Sequence, residues 1–78
     1  MSEPIRYNRI AEVLAEKGKT GKWLAAEAGK REETISGYCT QKFQPTIHTL
    51  FQLADILERD VRELLLPNIK SPHKNFKF

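Results

Sequence analysis

Ser36, His48 and Asp55 are the residue types of a nucleophile, base and acid, and His48, His73 and Cys39 are types that can hold a metal. The spacing supports neither chemistry. Nothing in the sequence brings Ser36, His48 and Asp55 into one pocket. The two histidines have no cysteine or acidic partner at metal-ligand separation. Cys39 is the single cysteine, so it cannot form an internal disulfide, and it reads as a small, partly buried packing residue suited to a reducing compartment. No acid–base pair, nucleophile or metal constellation is left, so neither an enzyme nor a bound cofactor is expected.

The elements that would position these residues are helical. Ile10, Val13 and Leu14 fall at helical spacing and predict a first helix from about Asn8 to Lys17, closed by Gly18 in a left-handed conformation. Thr20 is placed to cap a second helix that buries Leu24, Ala25 and Ala28 and ends at Gly29. A third runs from about Arg31 to Thr40, burying Ile35 and Tyr38, with Cys39 beside them. Gln41 to Pro45 breaks the pattern, because the residue before a proline is driven out of the helical region. Thr46 caps a fourth helix with a buried stripe of Ile47, Leu50, Ala54 and Leu57, Leu53 lying next to it. Asp60 and Glu63 have capping-box spacing and predict a short fifth helix burying Val61, Leu64 and Leu65. No segment alternates as a strand would. The expectation is an all-α, compact five-helix bundle spanning residues 1–66, followed by a basic C-terminal arm or flexible tail over residues 67–78.

The informative arrangement is the second and third helices, two short elements joined by a glycine-containing turn. That is the geometry of a helix-turn-helix, between about Thr20 and Gln41. In such a unit the first helix crosses the DNA backbone and the N-terminal part of the second enters the major groove. Every inward position is small or apolar, and Ala25 allows the two helices to approach closely.

At these residues the sequence resembles the phage-repressor and Cro-like (XRE-type) helix-turn-helix domains. The resemblance is carried by Thr20, Leu24 and Ala25, then Gly29, then Thr34-Ile35-Ser36, and downstream by Pro45, Leu50, Ala54, Leu57 and the run from Asp60 to Leu65. It covers about Asn8 to Leu65. It implies a double-stranded DNA partner and a two-fold dimer. It also implies roles by position: Lys19, Thr20, Gly21 and Lys22 at a phosphate, Arg31 and Thr34 near the backbone, Glu32, Glu33, Ser36 and Gly37 at base edges, and Lys42 and Gln44 at a second phosphate. Two positions depart from the family pattern. Gly21 stands where a glutamine usually clamps phosphate, although a helix N-terminus can bind one through backbone N–H groups. Glu32 and Glu33 stand where amides or bases are usual. They either accept from cytosine N4 or serve the helix dipole, which favours acids in the first turn by roughly 0.3–1 kcal/mol. Gly37 either lets the helix approach the bases or is tolerated at about 1 kcal/mol of helix propensity. Trp23, at a usually polar position, is expected to cover the first helix or the N-terminal arm.

The 78-residue chain has 13 basic and 10 acidic residues and a net charge of +3. Residues 1–47 carry 8 basic and 6 acidic groups, residues 48–66 carry 2 and 4, and residues 67–78 carry 3 and none. An anionic partner therefore belongs to the first half or the tail, and the segment from His48 to Leu66 faces something else. Phe51, Ile56, Leu66 and Ile69 exceed what so small a core can bury, and are expected to form a subunit contact or a surface for a protein partner such as a toxin. No apolar run approaches membrane-span length, and MSEPIRYN lacks the apolar core of a secretory signal, so a cytoplasmic setting is expected. The function expected is sequence-specific transcriptional regulation, repressor-like; a phage-type repressor, a restriction–modification controller and an antitoxin all fit. The rival is a protein-interaction module that keeps the fold with weak or no DNA binding.

Overall fold

The computed structural model describes residues 6–67, in four α-helices: α1 (Ile10–Glu16), α2 (Gly21–Ala28), α3 (Glu32–Cys39) and α4 (Ile47–Leu57). A single 3-10 turn follows at Val61–Leu64. The helices begin and end where local chemistry directs. Thr20 and Thr46 sit in extended conformation, and their hydroxyls accept from the N–H of Trp23 at 3.0 Å and of Thr49 at 3.1 Å, satisfying donors that a helix start would orphan. Gly18 and Gly29 both adopt φ 67°, the left-handed conformation that glycine enters without a Cβ penalty. Ile10, Val13, Leu14, Leu24, Ala25, Ala28, Ile35, Tyr38, Leu50, Leu53, Ala54, Leu57 and Leu64 form one buried cluster, so all four helices and the 3-10 turn share a core.

Three expectations need correction. The fifth helix is a 3-10 turn rather than an α-helix. Its capping box does not form, because the Asp60 carboxylate accepts from Arg62 N–H, two residues on, at 2.8 Å. Glu63 N–H instead donates to Asp60 O at 2.8 Å, an i to i−3 bond, while the Glu63 carboxylate turns to Arg59. Leu65 then leaves in extended conformation and is exposed, pairing with Asn8 in an antiparallel bridge; Val61 is only half-buried. Ile47, finally, is 68% exposed. The buried stripe of α4 starts one turn later at Leu50, and Ile47 stands at the rim of a depression with Tyr7, Pro45 and Leu65.

The sequence placed Asn8 at the start of α1, but it is a buried polar hub, 1% exposed. Its Oδ1 accepts from Ile10 N–H at 3.0 Å, and its Nδ2 donates to Tyr38 O at 3.0 Å and Gln44 Oε1 at 2.7 Å. Gln41 closes the network, its Nε2 donating to Asn8 O at 2.9 Å. Four charges make a second clasp: Glu16 receives Arg9 at 3.2 Å and Arg59 at 3.0 Å, and Arg59 also reaches Glu63 at 3.2 Å. The arginines hold the Glu16 carboxyl below its usual range, Arg59 contributing most.

Candidate nucleic-acid interface

The candidate interface is built on α2 and α3. Ala26 O accepts from Gly29 N–H and Ala25 O from Lys30 N–H at 2.9 Å, so the left-handed glycine turns the chain at once and only three residues separate α2 from α3. Leu24 and Ala25 bury against Ile35 and Tyr38, which turns the opposite side of α3 outward. On that side Glu32, Glu33, Ser36 and Thr40 follow one another at helical spacing, all exposed. Arg31 precedes the helix in extended conformation and is exposed, with no side-chain cap made.

A shallow open groove of about 730 Å³ runs along this face. It is lined by Gly21 and Lys22 from α2, by Arg31, Glu32, Glu33, Thr34, Ser36 and Gly37, and by Thr40, Lys42 and Phe43 beyond them. The fold thus brings together Gly21, Lys22, Arg31, Glu32, Glu33, Thr34, Ser36, Gly37 and Lys42 from the residues the sequence singled out. Lys19, Thr20 and Gln44 do not line it. Lys19 Nζ lies over the Trp23 ring, 5.0 Å from its centroid, a cation–π contact, and Trp23 itself packs against the core. The Thr20 hydroxyl is occupied by its cap. Gln44 is held in the Asn8 network, donating also to Gln41 Oε1 at 3.1 Å.

Phe43 and Thr40 also line the groove, beyond the residues the sequence singled out. Phe43 is 45% exposed and meets the Tyr38 ring edge-on, centroids 5.6 Å apart at 83°. Its position is set by Gln41, which takes a left-handed φ of 66°, and by Gly37 O, which accepts from both Lys42 N–H at 2.9 Å and Phe43 N–H at 3.3 Å. The turn folds the ring back over α3 at Gly37. A Cβ at residue 37 would overlap the ring's Cζ and lie 2.5 Å from Cε2 and 2.8 Å from Cε1. A side chain at residue 37 would have to displace the ring, a steric constraint that local helix spacing does not reveal. The only signal available was a helical glycine followed six residues later by a phenylalanine in a loop. Gly21 is different: a Cβ there would meet Ile35 Cγ2 at an ordinary 3.5 Å.

The expected partner surface is divided. Phe51 is exposed and, with Ile56, shares an open depression of about 540 Å³ with Glu27, His48, Gln52 and Asp55. Ile56 is half-buried against the core. Leu66 lies elsewhere along the chain's pairing, its N–H donating to Tyr7 O at 2.9 Å, and Ile69 falls outside the described residues, as does nearly all of the proposed tail. A second apolar patch of Tyr7, Pro45, Ile47 and Leu65 surrounds a depression of about 280 Å³. Cys39 is half-buried, and burial together with the Glu12 charge pushes its thiol up. Among the described residues no three His, Cys, Asp or Glu side chains cluster as a metal site would require, and no helix is long and apolar enough to cross a membrane.

Two short helices at a glycine turn, with a polar face on the second, define a helix-turn-helix protein. A family profile described as helix-turn-helix matches residues 10–64, and the chain belongs to that XRE-type family. Among solved structures it is similar to a protein from Bacteroides fragilis provisionally described as DNA-binding, at 47% identity and a TM-score of 0.74, over 76% of this chain and 95% of that one. A comparison with the curated proteins finds no match.

Proposed function

We propose that this chain is a sequence-specific DNA-binding transcriptional regulator, repressor-like and dimeric, acting in the cytoplasm, with α3 in the major groove. The observation that carries the reading is the groove itself. Its polar lining runs along one outward helix face, with the cations Lys22, Arg31 and Lys42 around Glu32, Glu33 and Ser36. Cations at the margins suit phosphates, which position a protein, while side chains along the helix suit base edges, which specify. The similarity to a Bacteroides fragilis protein described as DNA-binding supports it further. Glu32 and Glu33, both exposed, oppose the long-range attraction to phosphate, so sequence-blind binding should be weak.

Selection on random duplexes tests this. One sequence should be enriched, and its affinity should fall steeply with salt. Arg31→Ala and Lys42→Ala should weaken binding to every duplex alike and each reduce the salt slope by about 1, whereas Glu32→Gln should change the preferred base. Tight binding to random DNA would refute the weak-background expectation. The exposed acids at the start of α3 also favour the second reading, a protein-interaction module with the same fold. No enrichment, together with a co-purifying partner protein, would establish that reading instead.

A further inference from the structure

Position 37 sits on the outward side of α3, one turn beyond Glu33 and next to Ser36, yet it carries no side chain. The space a side chain there would fill is taken by the Phe43 ring. That ring lies over the Gly37 backbone and meets the Tyr38 ring at 83°, while the backbone N–H of Phe43 donates to Gly37 O. It is still 45% exposed and lines the same groove as Ser36, Thr40 and Lys42. Every other side chain in that neighbourhood is polar or charged, so the ring is the apolar spot on an otherwise hydrogen-bonding face.

We propose that Phe43 is a specificity-determining residue that reads the C5-methyl of a thymine, standing in for the base-reading side chain that Gly37 lacks. The inference rests on the DNA-binding reading. In the major groove the thymine methyl is the one apolar group a base pair displays, and an aromatic side chain is a suitable partner for it. The cations Lys22, Arg31 and Lys42 around the groove match a polyanion bearing that methyl. The geometry is pre-set, because the ring's packing against Gly37 and Tyr38 fixes its orientation before DNA arrives, so little freedom is lost on binding.

The test uses the full chain and its selected duplex, with each thymine replaced in turn by deoxyuridine, which removes the methyl and nothing else. At one position the replacement should weaken wild-type binding about fourfold, the transfer value of one buried methyl group. In Phe43→Ala the same replacement should change affinity less than about twofold. Phe43→Leu, which keeps an apolar group, should retain part of the penalty, and helix content and thermal midpoint will show that both variants fold. Should Phe43→Ala not fold, Phe43→Leu and Phe43→Ser carry the comparison. Wild-type binding that ignores every deoxyuridine, or a penalty that survives in Phe43→Ala, overturns the assignment while leaving DNA binding intact. Failure of wild type to bind any duplex in a salt-dependent way overturns the DNA-binding reading and this inference with it.

Discussion

Replacing Gly37 by alanine sets two effects of known size against each other. In an α-helix interior, alanine is favoured over glycine by about 1 kcal/mol. Against this, the new Cβ would overlap the Phe43 ring, and the ring must swing away. Phe43 is 45% exposed, so about half of the 1.5–3 kcal/mol for full burial of a phenylalanine is at stake, on the order of 1 kcal/mol. The edge-to-face pair with Tyr38 adds about 0.5–1.5 kcal/mol. Losing both costs about 2 kcal/mol, so Gly37→Ala should destabilise the protein by about 1 kcal/mol net, lowering the melting midpoint by roughly 4–8 °C for a domain of this size. With Phe43 already truncated to alanine the clash disappears and only helix propensity remains. There Gly37→Ala should stabilise by about 1 kcal/mol, a coupling of about 2 kcal/mol. Urea and thermal unfolding followed by circular dichroism on the four proteins measure it. Equal effects in both backgrounds, additive within about 0.5 kcal/mol, would refute the claim that Phe43 dictates the glycine.

Asn8→Ala should cost about 2–3 kcal/mol in the same unfolding assay, because Ile10 N–H and Tyr38 O lose their partner where water is excluded; a loss below about 0.5 kcal/mol would mean the network relaxes around the gap. Asp60 is held down to about 2, chiefly by its hydrogen bonds to the Arg62 side chain and then to the Arg62 N–H. Since the folded value is depressed, its contribution is present above the ordinary 3.8 and disappears as pH falls through about 2; an NMR titration should find that midpoint and see it rise toward 3.8 in Arg62→Ala. For the proposed dimer, Phe51→Glu should yield a monomer in sedimentation equilibrium while Ile47→Glu remains dimeric. The opposite result moves the contact to the Tyr7, Pro45 and Leu65 patch, and a monomeric wild type removes it. A Cβ at residue 21 meets Ile35 only at ordinary contact, and Gly21→Gln should tighten binding to every duplex, up to about tenfold for one added bond to phosphate; an unchanged affinity would show that the backbone already serves that site.

What was legible in the sequence and what was not divides by range. Thr20, Gly29 and Thr46 act on their own neighbours, so their types announce caps and turns without knowledge of the rest of the chain, and α2, α3 and α4 begin and end within a residue or two of expectation. Leu24, Ala25 and Ile35 likewise reveal which face of each helix is buried. Asn8 is the reverse case. Its partners lie at Tyr38, Gln41 and Gln44, thirty or more residues away in sequence, and an asparagine before a helix looks the same whether it caps or anchors. The Asp60 and Glu63 pair failed for a nearer reason, since Arg59 and Arg62 compete for both carboxylates and the box is emptied. Phe43 needed both kinds of knowledge at once: a left-handed Gln41 to turn the chain, and a helix beneath bare enough to receive a ring. The polar lining of the groove follows from local spacing along α3, but its apolar side chain, Phe43, arrives from outside the helix. Position along α3 alone therefore points to residue 37, where the Phe43 ring takes the space a side chain would fill.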